Sequence, residues 1–199
     1  MVARAPAGQA SVTVTSKRRR VATSPRWRTV APVGSVAAVL LVGATLVRFG
    51  ISLQGLLWAA AQLLLAFVAC FDLVTRRVPN RVIIPAATAA FVLRAAFAAS
   101  SLPEALAAGA IAFAFFLVVA VVTRGGMGMG DVKLASLIGL FLGKASVPAL
   151  FIGIVAGGMA SLAVLVARRG TRGGTIAYAP YLCLGAGLAI LAFSPPPLV

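Results

Sequence analysis

The stretch LQGLLWAAAQLLLAFVACFDLVTRRVPNR, residues 53–81, decides how this chain folds. From Leu53 to Phe71 it carries no charge, and its length approaches the ~20 residues an α-helix needs to cross a hydrocarbon core. Asp72 ends that run, and the basic loop Arg76-Arg77-Val78-Pro79-Asn80-Arg81 follows. Pro79 has no N–H and disfavours helix at the residue before it, so the loop is a true break between helices. A carboxylate at the edge of a membrane is costly to keep, and such acids mark sites of function.

Further apolar runs lie on both sides. Val30–Val47 precedes the stretch, and Val82–Ala99 follows it, interrupted by Arg94, which is expected to snorkel towards the far interface. Ser101-Leu102-Pro103-Glu104 reads as a turn and helix start. Ser101 is the expected N-cap, Pro103 suits the first turn, and Glu104 favours the positive end of the helix dipole. Ala105–Val122 then ends at Arg124 and the loop Gly125-Gly126-Met127-Gly128-Met129-Gly130-Asp131. Val132–Leu142 is short for a span and is expected to tilt or to recruit Lys133 and Lys144 at its ends. Val147–Val166 is followed by Arg168, Arg169 and Arg172, and Ile176–Phe193 is closed by Pro195, Pro196 and Pro197.

The expected fold is all-α: a polytopic transmembrane bundle of about seven helices over residues 30–199. Residues 1–29 are polar and basic, with Lys17, Arg18, Arg19 and Arg20 in one run. They are expected to form a disordered cytoplasmic tail before an uncleaved membrane anchor.

Composition supports an integral, multi-pass membrane protein. The chain is 61% hydrophobic and 11% charged, with a mean hydropathy of +1.07. A soluble core of this size could not hide so much apolar surface. The net charge is +15, from 18 Lys and Arg against 3 Asp and Glu. In a soluble protein that balance would suggest nucleic acid. No aromatic-rich basic domain accompanies it, so the charge is assigned to topology and to anionic lipid headgroups, with no nucleic-acid partner. There is no histidine, and the two cysteines, Cys70 and Cys183, lie in separate apolar runs. A His-ligated metal, a Cys-based zinc site and Ser-His-Asp or Cys-His catalysis are thereby excluded, and neither metal nor cofactor is expected. The thiols are expected to pack as small apolar groups.

Basic residues also orient the bundle. With a cytoplasmic N-terminus, seven crossings place Arg76, Arg77, Arg81, Arg124, Arg168, Arg169 and Arg172 on the side of the N-terminal cluster. Arg48, Arg94 and Lys144 fall on or near the far side. The same count brings Asp72 and Asp131 to the cytoplasmic face, at opposite ends of one helical hairpin.

The chain has only three acids, Asp72, Glu104 and Asp131. Glu104 is accounted for by helix-start chemistry. Asp72 and Asp131 suggest a paired-carboxylate site. Two acids close enough to share a proton repel one another when both are charged, so near neutral pH one is ionised and one protonated. The ionised member draws a proton from water, and the protonated member hydrogen-bonds a substrate carbonyl. Gly128 and Gly130 lack Cβ, so their backbone is expected to reach positive φ and to approach a second chain closely. No βαβ unit surrounds these glycines and no phosphate-binding Lys-Ser/Thr follows, so they are not a nucleotide fingerprint. Lys133 either orients and electrostatically stabilises the pair or reaches lipid headgroups. Structural roles compete: Asp72 as a partner of Arg76 or Arg77, and Asp131 as the N-cap of the next run. Two other functions compete as well. A proton-coupled transporter subunit predicts acids in mid-run and internal repeats. A non-catalytic membrane scaffold predicts that neither acid matters.

Three segments together resemble the type IV prepilin peptidase family, membrane aspartic peptidases of the GxGD type. They are Gly126-Met127-Gly128-Met129-Gly130-Asp131-Val132-Lys133-Leu134, then Asp72 with Val78-Pro79-Asn80, and Ile176-Ala177-Tyr178-Ala179-Pro180-Tyr181-Leu182. The last carries Ala177 and Ala179 where the family often has Pro and Phe-Gly. The resemblance implies that Asp72 and Asp131 are the catalytic aspartates. It implies prepilin-like substrates (pilins or pseudopilins), cut after a short basic leader at the cytoplasmic membrane face. Long members of the family also N-methylate the new terminus, using an insert that often carries a cysteine zinc site. Here the matching connection is only Arg48 to Ser52 and has no cysteine, so the chain resembles the short, peptidase-only members.

Overall fold

The computed structural model describes residues 25–123, 127–167, 177–193 and 198. Most of the expected basic tail, the cations at Arg124, Arg168, Arg169 and Arg172, and the first residue of the glycine motif, Gly126, lie outside the described residues. The all-α expectation holds: no strand occurs among the described residues. The helices are α1 (Pro25–Phe49), α2 (Leu53–Thr75), α3 (Asn80–Phe97), α4 (Leu102–Val122), α5 (Met129–Leu142), α6 (Ser146–Ala167) and α7 (Ala179–Ala192). Four stretches are long and apolar enough to cross a membrane: Leu53–Thr75, Asn80–Phe97, Ala99–Val122 and Met129–Val164. Gly34–Phe49 and Ala179–Ala192 are shorter apolar helices.

Two populations of apolar side chains separate core from periphery. Trp58, Leu65 and Val68 of α2, Leu134, Leu137 and Ile138 of α5, and Leu182, Ala186 and Ile190 of α7 are buried together. Phe67, Ile111, Phe115, Val118, Phe151 and Leu162 point outward, as expected of side chains that meet lipid rather than water. The most extensive helix pairings are α4 on α5, α1 on α2 and α6 on α7, with α2 and α7 joining the pairs.

α5 is the buried axis of the bundle. It has 14 residues, about 21 Å of helix at 1.5 Å per residue, short of a ~30 Å hydrocarbon core. It does not need that length, because α3, α4, α6 and α7 pack around it and shield it from lipid. Small residues let it approach closely. A Cβ added to Gly139 would lie 2.6 Å from the Ala108 carbonyl oxygen and 2.7 Å from Gly109 Cα on α4. The α6–α7 crossing follows the same rule: a Cβ on Gly185 would meet the backbone of Ala149 and Gly153. Without a hydrophobic force between helices in lipid, such close packing carries their association.

Arg94 corrects its sequence reading. It is fully buried and does not snorkel, because α5 offers it a better partner than the interface does. Its guanidinium donates to the Phe141 carbonyl at 2.6 Å and to Ser101 Oγ at 2.9 Å. Ser101 is therefore not the side-chain cap of α4; its hydroxyl donates instead to the Ala98 carbonyl at 2.9 Å. Glu104 does sit in the first turn of α4, and it reaches further than helix-start chemistry requires. It accepts the Lys144 backbone N–H at 2.9 Å and pairs with Lys144 Nζ at 3.1 Å, tying α4 to the turn after α5.

Gly139→Ala should drive α4 and α5 apart and lower unfolding stability by about 1–3 kcal/mol. Gly158→Ala, with nothing within 4 Å of the new Cβ, should be neutral or gain up to about 1 kcal/mol. Thermal unfolding of both variants in one detergent measures the difference.

Candidate active site

Asp72 lies in the last turn of α2 and Asp131 in the first turn of α5. Fifty-eight intervening residues, most of them in α3 and α4, return the chain to the same place. Both acids line one cavity of about 330 Å³, with Gly128, Gly130, Asn80 and Lys133. The five residues singled out in sequence therefore meet at one site. Asp72 is 5% exposed and Asp131 9%, and the charge of Asp72 acts on Asp131.

Each carboxylate has a backbone N–H at the start of a helix within reach of it. The N–H of Ala179, the first residue of α7, acts on Asp72. The N–H of Gly128 acts on Asp131. Gly128 is the N-cap of α5, with Asp131 three residues on, so Asp131 reaches back to the cap as an acid at that position does in a capping box. It is not itself the N-cap that a structural reading would make it. Oδ2 of Asp72 is buried with no hydrogen-bond partner among the described residues. Arg76 lies near enough for its charge to act on Asp72.

The loop between α2 and α3 forms one wall. Arg76 ends α2 in the left-handed region, at φ 52°, the one non-glycine with positive φ among the described residues. Strained backbone of this kind gathers at functional sites. The turn carries Val78 against Gly130, where an added Cβ would lie 2.8 Å from Val78 Cβ. This is the physical reason for glycine at position 130. The expected positive φ is absent: Gly128 is extended at φ −78°, and Gly130 is helical. The close approach is real, but the neighbour is Val78 of the same chain. Lys133 Nζ donates to Asn80 Oδ1 at 3.2 Å, so the lysine ties α5 to the start of α3 at the cavity rim.

Tyr178 and Ala179 were named in sequence only as part of the third resembling segment, with no role given to the Tyr178 side chain or the Ala179 N–H. Tyr178 donates from its hydroxyl to the Ile154 carbonyl at 3.4 Å, and its ring fills the space beside Gly157. Burial, with the nearby Asp131 charge adding to it, pushes the Tyr178 phenol above its ordinary value. The available signal was Pro180, a residue suited to the first turn of a helix, whose free N–H groups need an acceptor.

Two carboxylates lining one cavity with room for water, one of them with an uncommitted oxygen, can share a proton and polarise a water between them. Residues 59–162, which include both acids, match the type IV leader peptidase family. The chain belongs to that family. The chain is also similar to the prepilin leader peptidase/N-methyltransferase of Bacillus subtilis (strain 168), at 31% identity over 161 residues. The alignment takes in 80% of this chain and 65% of that protein, so the chain spans somewhat less than two thirds of that relative's length. No solved structure matches the chain.

Gly130→Ala should push Val78 and the α2–α3 loop outward and lower the thermal midpoint. Val78→Gly in the same chain removes the opposing Cβ and should restore much of the loss. Additive losses in the double variant would show that the two residues do not meet.

Proposed function

We propose that this leader peptidase is an aspartic endopeptidase with Asp72 and Asp131 as its catalytic pair. Its substrates are prepilin-like proteins, cut after a short basic leader where their hydrophobic helix begins. One observation carries the reading: two acids far apart in sequence line a single cavity at the ends of their helices. A transporter would be expected to hold its acids near the middle of the spans. The relative's name as a prepilin leader peptidase supports the substrate class.

In the proposed reaction the ionised member of the pair takes a proton from water as the oxygen attacks the scissile carbonyl. The protonated member donates a hydrogen bond to the developing oxyanion and later supplies the proton taken by the leaving amine. The roles belong to the pair, because its two titrations are shared. The N–H groups of Ala179 and Gly128 steady whichever acid is charged. Lys133, held by Asn80, orients the rim. Orientation follows the basic residues, with the acids at the cytoplasmic face of the inner membrane and Arg76, Arg77 and Lys133 against anionic headgroups.

The chain is proposed to cut without methylating. Only Gly50, Ile51 and Ser52 connect α1 to α2, and none is cysteine. Mass spectrometry of the cleaved product, made with S-adenosylmethionine present, should show an unmodified N-terminus; a gain of one methyl group would overturn this part of the reading.

Asp72→Asn and Asp131→Asn should each insert normally yet lose leader cleavage by about a thousandfold or more in proteoliposomes. The wild-type rate should be bell-shaped in pH. Acid protonates both carboxylates and removes the base, whereas alkali ionises both and removes the hydrogen-bond donor. Processing that survives either substitution contradicts the assignment.

A further inference from the structure

A second hollow, of about 390 Å³, lies between α1, α2 and α7. Leu41, Leu65, Ala69 and Leu184 give it apolar walls. It adjoins the acids. Cys70 and Leu73 flank Asp72 along α2, and Pro180 follows the Ala179 whose N–H acts on Asp72. Cys183, also in the wall, lies within electrostatic reach of Asp72, Asp131 and Cys70.

One polar side chain enters this hollow. Gln62 is 1% exposed and stands ten residues before Asp72, about 15 Å along the helix. Its amide nitrogen donates to the Gly187 carbonyl at 3.1 Å and to Thr45 Oγ1 at 3.4 Å. Thr45 gives its own proton to the Leu41 carbonyl at 2.7 Å. Both neighbours of the amide nitrogen therefore accept, which fixes the amide orientation. The other end, Oε1, is buried with no hydrogen-bond partner among the described residues. An acceptor left so costs stability, and an occupant bringing a donor would recover it.

We propose that this hollow seats the apolar helix that follows the cut bond of the substrate, and that Gln62 accepts a hydrogen bond from one hydroxyl or amide side chain on it. The inference rests on the peptidase reading above. A helix that starts beside Asp72 and enters the bilayer along α2 and α7 would run through the hollow. At 1.5 Å per residue, the position opposite Gln62 is about ten residues beyond the cut. Gln62 would then favour helices with a donor in that register over uniformly aliphatic ones.

The test uses a synthetic peptide with a basic leader, a glycine at the cut position and a leucine-alanine helix of about 20 residues. In proteoliposomes of the full chain carrying Asp131→Asn, single cysteines along the peptide helix are joined to the native, half-buried Cys70 by a short bis-thiosulfonate. Cross-links confined to one helical face are expected. In the active chain, a serine scanned along the peptide should lower KM roughly threefold to tenfold at one position only, an effect absent in Gln62→Leu. Ala38 lies in the α1 wall of the hollow, and Ala38→Phe, which fills it, should raise KM about tenfold with little change in kcat. Should Ala38→Phe fail to fold, the cross-links still decide, since they need no change in the hollow. A peptide that is cut but gives no cross-link, a flat serine scan and an indifferent Ala38→Phe would leave the hollow to lipid and overturn the proposal. A peptide that is never cut by the wild-type chain, yet cross-links on one face, would overturn the peptidase reading and retain the seat.

Discussion

The placement of the Asp72 carboxylate within reach of the free N–H of Ala179 is the constraint on which the site depends. Asp72 sits at the C-terminal end of α2, where the helix dipole disfavours an acid. Left to its own helix it would be poorly placed. The N-terminus of α7 brings the opposite dipole end and an unused donor to the same point, and so offsets the penalty. Asp131 meets the same condition within α5, through the N–H of Gly128. Two short helices, α5 and α7, thus aim their positive ends at two acids that would repel one another.

The far ends of those helices are treated in the complementary way. Arg94 on α3 donates to the Phe141 carbonyl in the last turn of α5. Arg48 at the end of α1 donates to the Leu191 carbonyl in the last turn of α7. A cation at a helix C-terminus is favourable, and more so where water is excluded. α5 and α7, each 14 residues long, are in this way pinned at both ends and packed along their length. Helices pinned so can hold two side chains in register over a small cavity, as a carboxylate pair requires.

The apolar runs, their breaks and the two acids were legible in sequence because each rests on a local signal. Length and hydropathy mark the helices, Pro79 marks a break, and scarcity singles out the carboxylates. What escaped was set by partners distant in sequence. Arg94 looked like a surface cation because only the fold places the Phe141 carbonyl beside it. Gly130 was assigned to the right chemistry, close approach, but Val78 as the neighbour follows from how α2 turns at Arg76. The roles of Tyr178 and Ala179 escaped because a backbone N–H has no sequence signature, and Tyr178 comes within electrostatic reach of Asp131 only through the packing of α7 on α6.

On the proposed reading, charge alone is a poor guide to substrate recognition. The cavity rim carries Arg76, Arg77 and Lys133, and the leader to be removed is itself basic. Such a rim favours anionic headgroups and an ionised acid within, yet it does not attract a cationic peptide. Lipid that gathers at the rim neutralises it and lets the leader lie in the headgroup layer, where charges more than a Debye length away, about 8–10 Å, are screened. Selectivity then falls to the part of the substrate that enters the bilayer, whose side chains meet Gln62 and the apolar walls between α1, α2 and α7. Position along that helix, rather than leader sequence, would determine which peptide bond arrives between Asp72 and Asp131.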